Sequence, residues 1–165
     1  MVTQVIGAGG AWQKIAEVEL TTSATEISFT NLDGDADDVY MLCYKVYEAG
    51  GTATAIEIRF NNDTGTNYNW GSISQDETNV SGGSGSGDTF INVGVCEASQ
   101  ATTGLILIFA KSGAKRTAVG FSSGYDRTRV AGGDWTNTSD NITTITVRIP
   151  SGAGAGSKFI LFKKA

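Results

Sequence analysis

The sequence predicts an all-β protein, and three observations carry that prediction. Short segments of alternating apolar and polar residues recur along most of the chain, as expected of strands with one covered face. Glycine occupies 22 positions against a single proline, Pro150, so tight turns are many. No segment combines an amphipathic helical pattern with both a start and a stop signal. About eight short strands punctuated by turn-forming clusters make a β-sandwich or barrel over residues 11–165, preceded by an N-terminal arm of residues 1–10 that could lie on a neighbour.

Trp12 to Leu20 is the first strand and alternates loosely, with Ile15 and Val18 out of step. Ile27-Ser28-Phe29 follows a Thr/Ser turn. Val39 to Tyr47 is dense in aromatic and β-branched residues and puts Tyr40, Leu42, Tyr44 and Val46 on one face, the predicted core face. Ile56 to Phe60 alternates cleanly, which leaves Glu57 and Arg59 to solvent or a partner; Ile91, Val93 and Val95 repeat the pattern. Leu105 to Ala110 is a continuous apolar run, expected of a central strand covered on both faces. Thr117 to Phe121 and Ile145 to Ile149 alternate again, and Lys158 to Lys163 closes the chain. The glycine- and serine-only stretch from Ser81 to Gly87 reads as a mobile loop.

Composition excludes several functions. With 40% hydrophobic and 18% charged residues the chain is globular rather than disordered. The apolar run at Leu105 is far shorter than the ~20 residues of a membrane helix, and Met1-Val2-Thr3-Gln4 lacks a signal-peptide pattern, so the expectation is an intracellular product without a membrane partner. A net charge of -5 and a pI near 4.6 argue against nucleic acid. Histidine is absent, which removes His-based triads and His-containing zinc sites. The charge is also segregated: residues 1–98 carry a net -11 and residues 99–165 a net +6. Either strands of the two halves interleave and neutralise locally, or oppositely charged faces of neighbouring copies meet.

No motif specifies chemistry. Gly152 to Lys158 superficially suggests a phosphate loop but lacks the adjacent Gly-Lys-Ser/Thr and the following helix. Asp33, Asp35 and Asp37 share the spacing of the first EF-hand ligands, yet Asp38 and Tyr44 stand where that loop needs glycine and glutamate. They remain a weak surface Ca²⁺ candidate; no other metal and no cofactor is expected. Cys43 and Cys96 read as reduced buried thiols. Acid pairs such as Asp76-Glu77 could serve a glycosidase, but nothing in the sequence sets two carboxylates across a cleft.

Four segments in a fixed order carry a resemblance. Trp12-Gln13-Lys14-Ile15 leads to Ile27-Ser28-Phe29-Thr30-Asn31, then to Ile58-Arg59-Phe60-Asn61-Asn62-Asp63-Thr64-Gly65-Thr66-Asn67-Tyr68, and the chain ends Gly156-Ser157-Lys158-Phe159-Ile160-Leu161-Phe162. The pattern resembles a group of tailed-bacteriophage virion structural proteins over nearly the whole chain, with Asn62 in place of the usual glycine and Phe162-Lys163 in place of Tyr-Gly. The resemblance implies an antiparallel jelly-roll-like β-sandwich and a non-enzymatic capsid decoration on a virion assembled in the host cytoplasm. Its partners would be itself, with a trimer favoured, and the major capsid protein or another virion protein. The alternative it implies is a tail-fibre or receptor-binding tip that recognises host saccharide. Asn61, Asn62, Asp63, Gly65, Asn67 and Tyr68 would then lock a loop, with Gly65 free to take positive φ. Trp12, Lys111, Lys115, Arg116, Arg127 and Arg129 are candidate interface residues; Tyr125 and Trp135 are candidate saccharide contacts under the alternative.

Overall fold

The structure, a computed structural model, describes residues 12–98 and 100–164; the arm of residues 1–10 lies outside them. It is an antiparallel jelly-roll-like β-sandwich of twelve strands. The strands are β1 (Trp12–Glu19), β2 (Ala24–Phe29), β3 (Val39–Tyr47), β4 (Thr54–Phe60), β5 (Tyr68–Asp76) and β6 (Asn79–Asp88), then β7 (Ile91–Cys96), β8 (Ala101–Phe109), β9 (Arg116–Gly124), β10 (Arg127–Trp135), β11 (Ile145–Ala153) and β12 (Lys158–Lys164). A single helical turn, α1 (Gly34–Asp37), precedes β3. One sheet runs β1-β12-β3-β8-β9-β10-β5-β6 and the other β2-β11-β4-β7.

The expected count of eight was low because β5, β6 and β10 contain few β-branched residues. The stretch expected to be a mobile loop, Ser81 to Gly87, is the body of β6, with Ser81 to Ser86 paired residue by residue with β5 and Gly87 in a bulge. Its lack of side chains mimics a linker, while the ladder hydrogen bonds that order it belong to a partner strand.

One core lies between the sheets. The larger sheet contributes Tyr40, Leu42, Tyr44 and Val46 from β3, Ile106 and Ile108 from β8 and Phe159 and Leu161 from β12; the smaller contributes Ile56, Ile58 and Phe60, Ile91 and Val93, and Ile145 and Val147. Period-two alternation decides which residues these are. The run at Leu105 departs from expectation, since β8 is central but covered on one face only. Ile106 and Ile108 point into the core, while Phe109 is 50% exposed on the outer side.

The unusual element is β7. It is an edge strand of the smaller sheet, yet all six of its residues are buried. An edge strand has unpaired backbone groups, and burying them requires substitutes for water. The larger sheet supplies these from its side chains: Ser122 Oγ accepts the Val95 N–H at 3.3 Å and Thr102 Oγ1 accepts the Glu97 N–H at 3.0 Å. The approach is close enough that a Cβ at position 120 would lie 2.0 Å from the Val93 carbonyl oxygen, so only glycine fits there.

Gly120→Ala therefore forces backbone apart rather than a side chain aside. The expected loss is about 3 kcal/mol, at the upper end of overpacking costs, measured as the change in urea midpoint with an unchanged denaturant slope. Wild-type stability in this variant would show that β9 and β7 are not in contact at this point.

Candidate functional site

The β4–β5 connection, residues 61–67, is held by its own side chains. Asn61 and Asn62 take positive φ, 51° and 55°. Gly65, expected to use that freedom, does not; a Cβ there would instead meet Asn67 Nδ2 at 2.6 Å. Asn61 Oδ1 accepts the Thr143 and Thr144 N–H groups at 2.8 and 3.1 Å, and Asn62 Oδ1 accepts the Thr146 hydroxyl at 3.0 Å. Asp63 accepts from the Gly65 N–H at 2.8 Å, Asn67 Nδ2 at 2.9 Å and Trp135 Nε1 at 2.7 Å. Burial pushes the Asp63 pKa upward, but these three donors outweigh it and hold the group below its ordinary value. Tyr68 stacks on Trp135 at 6.3 Å between ring centroids, Phe60 tilts against both, and its N–H donates to the Tyr68 hydroxyl at 3.1 Å.

Two expected contact residues are interior to this cluster. Trp135 is 1% exposed and Arg116 fully buried, the guanidinium 4.8 Å above the Trp135 ring. Arg116 donates through Nη1 to the Ala114 carbonyl and through Nη2 to the Asp140 carbonyl and Asn137 Oδ1, while its Nε is buried without an acceptor. Neither is available to a saccharide or a neighbouring protein, which corrects both expectations. The physical reason is shared: a planar cation on an aromatic face can be buried when carbonyls satisfy its edge. Tyr125 is 80% exposed in the β9–β10 turn, at the opposite end of β10 from Trp135, about 25 Å along a strand of that length. The two cannot line one site.

The remaining candidates separate as well. Asp33 caps α1, accepting from the Ala36 N–H; Asp35 accepts the Ser112 N–H; Asp37 takes the Tyr40 hydroxyl and Lys163 Nζ. Among the described residues no three acidic or thiol side chains converge, so the Ca²⁺ candidate does not assemble. Lys111 pairs with Asp38 at 3.5 Å and Lys115 with Asp134 at 3.2 Å, both exposed. Trp12 is 40% exposed on the edge strand β1. Cys43 and Cys96 are both free thiols, the first only half-buried.

Arg127 and Arg129 were expected at an interface, yet they alternate onto the inner face of β10, the face that carries Ala131 and Trp135. There they meet residues that sequence reasoning missed. β7 packs on β9, β10 and β5, whereas β6 lies beyond it, so the inner sides of β5, β6 and the start of β10 form a half-sheltered trough. Its floor is Trp70, Ser72, Ser74 and Asp76, with Arg129 opposite Ser74 and Arg127 opposite Asp76. Ser74 and Ser81 share a hydroxyl hydrogen bond of 3.0 Å. Trp70 lies over β6, where a Cβ at Gly83 would be 3.5 Å from its ring and one at Gly85 would collide with it; its Nε1 donates to Asp88 at 2.5 Å. The available signal was the period-two series Trp70-x-Ser72-x-Ser74-x-Asp76, hidden by the absence of apolar alternation.

The two arginines differ. Arg127 is neutralised by Asp76 at 3.3 Å and Glu97 at 3.0 Å. Arg129 gives one hydrogen bond, Nη2 to Ser72 Oγ at 2.7 Å, and among the described residues no carboxylate reaches it. Its Nε is buried without an acceptor. Burial first, then the adjacent Arg127 charge, lower its pKa from the usual arginine value.

No protein-family model matches the sequence, and no curated protein matches it either. Among solved structures, the chain is similar to a mutant of the alginate lyase Aly36B in complex with alginate tetrasaccharide, at 12% identity and a TM-score of 0.36, covering 84% of this chain and 79% of that one. The expectations of a non-enzymatic capsid decoration and of a tail tip find no support: neither a family model nor a curated protein ties the sequence to a bacteriophage particle, and the similar structure is an alginate lyase. Both readings are withdrawn, and with them the expectation that the chain is not an enzyme. A likeness this distant transfers neither substrate nor residue roles.

Asp63→Ala leaves the Trp135 indole N–H buried without its acceptor and should cost about 1–3 kcal/mol, read by thermal or urea unfolding. Because the folded-state pKa of Asp63 is depressed, its contribution is present above the ordinary carboxylate value of about 4 and lost as pH falls below it. Wild-type stability should therefore drop on acidification through that window more steeply than that of Asp63→Asn. Parallel pH profiles would exclude Asp63 as the titrating group.

Proposed function

We propose that this protein binds an acidic saccharide in the trough between β5, β6 and β10. The observation that carries the reading is Arg129, a half-buried guanidinium with one hydroxyl partner and no carboxylate. Taking a cation partly out of water without a counter-ion is costly, and an arriving carboxylate offsets that cost while matching the guanidinium fork. Around it stand groups suited to a sugar: hydroxyls on Ser72, Ser74 and Ser81, carboxylates on Asp76 and Asp88, and the partly buried indole of Trp70. A ligand that is both anionic and rich in hydroxyls satisfies the set, whereas inorganic anions leave the serines and indole unused.

Titration with an oligouronate and with an uncharged oligosaccharide of equal length tests the proposal, followed by calorimetry and tryptophan fluorescence. The oligouronate should bind at least ~10-fold more tightly, since hydrogen bonds to charged groups contribute about 1.5–3 kcal/mol. Arg129→Gln should erase the difference without unfolding the protein. Equal affinity for both sugars, or no heat from either at millimolar concentration, overturns the reading.

A further inference from the structure

The outer face of the eight-stranded sheet is apolar along two adjacent cross-strand rows. The strand registers align Ile160, Cys43, Leu105, Phe121, Val130 and Ile73 across six consecutive strands, from β12 to β5. The neighbouring row holds Phe162, Met41, Leu107 and Val119 and then empties at Gly132 and Gly71. No charged residue stands in either row. Phe121 and Val130 are 46% exposed and Ile73 64%, in the middle of a sheet rather than at its rim. Polar residues frame the rows, with Lys45, Thr103, Ser123, Thr128 and Gln75 on one side and Thr117, Asp134 and Asn69 on the other, where Val39 and Phe109 continue the apolar surface at β3 and β8. An apolar centre without charge inside a polar rim is the composition of a protein interface.

We infer that this face is where two copies of the chain stack, sheet on sheet, about a two-fold axis parallel to the strands. Three features favour a second copy over another occupant. With its polar rim included, the eight-stranded face, its strands about 4.8 Å apart and on average about nine residues long, spans roughly 1,100 Å², above the ~800 Å² per partner of a standard stable interface. The second row is filled at its β12 end and vacant at its β5 end, where Gly71 and Gly132 leave a hollow of about 370 Å³ lined by Ile73, Val119 and Val130. A two-fold rotation lays the filled half of each copy over the vacant half of the other, the self-complementarity that an isologous contact requires. The inference is independent of the trough, which lies on the opposite side of the sheet.

Cys43 sits within the first row and is half-buried, whereas Cys96 is fully buried, so the wild-type protein carries its own reporter. Sedimentation at micromolar concentrations should give a dimer in which Cys43 reacts slowly with a maleimide, and dilution should expose it. Phe121→Glu and Val130→Lys place a charge in the dry centre and should each raise the dimer dissociation constant about 100-fold or more. Both positions are hydrated in the monomer, and an unchanged far-ultraviolet circular dichroism spectrum checks folding. Tyr125→Ala, off the face, should leave the dimer intact. Wild-type monomer at every concentration overturns the inference, and a Cys43 protected in that monomer assigns the cover to the chain itself. A dimer that survives both charged variants, or a trimeric mass, also overturns the two-fold stack.

Discussion

The burial of β7 against the larger sheet is the constraint from which the rest of the architecture follows. A four-stranded sheet cannot cover an eight-stranded one, and its exposed edge would ordinarily need water or charge to protect it. Here the protection comes from β9 and β8, through Gly120 beneath the Val93 carbonyl, the Ser122 hydroxyl on the Val95 amide and the Thr102 hydroxyl on the Glu97 amide just past β7. Once β7 is docked there, β5 and β6 project past the smaller sheet. Their inner sides become a trough and their outer sides extend the open face.

Alternation along β10 then distributes chemistry between the two sides. Arg127, Arg129, Ala131 and Trp135 point inward, while Thr128 and Val130 point outward. A register slip of one residue would bury Val130 in the polar trough and turn both arginines to the outer face, with Arg129 in the first apolar row when it takes the place of Val130. Cross-strand partners resist that slip from both sides: Trp135 lies opposite Tyr68 and Arg116, and Arg127 lies opposite Asp76. The aromatic cluster and the Asp63 loop thus fix the register that positions Arg129, about 20 Å further along the strand.

The sequence announced strands wherever a covered face had to alternate with a wet one, as in β3 and β9. It concealed those whose two faces are both unusual. β6 has almost no side chains because Trp70 lies on it, and a chain read one segment at a time shows only the missing residues, not the ring that requires their absence. Arg116 and Trp135 looked like surface groups because nothing local indicates that a cation and an indole will satisfy each other out of water. The trough was invisible for a related reason. Its residues come from β5 and β10, more than fifty positions apart, and only pairing brings Ser74 opposite Arg129.

The segregated charge of the sequence resolves largely within one copy. Arg148 bonds Glu26 and Glu57, Lys163 bonds Asp37, and Lys158, then Lys14, draw the Glu17 pKa down to about 2. The basic second half of the chain threads between acidic strands of the first, so the pairs form across neighbouring strands. The two apolar rows of the outer sheet face carry no charged residue, and an uncharged centre is one that like copies can approach without repulsion. Stacking there would turn the two troughs away from each other, each open on its own side of the pair. A pair so arranged cannot grip one short oligosaccharide twice, but it can hold two strands of a polymer together. Its avidity would then depend on the density of chains rather than on the length of any single one.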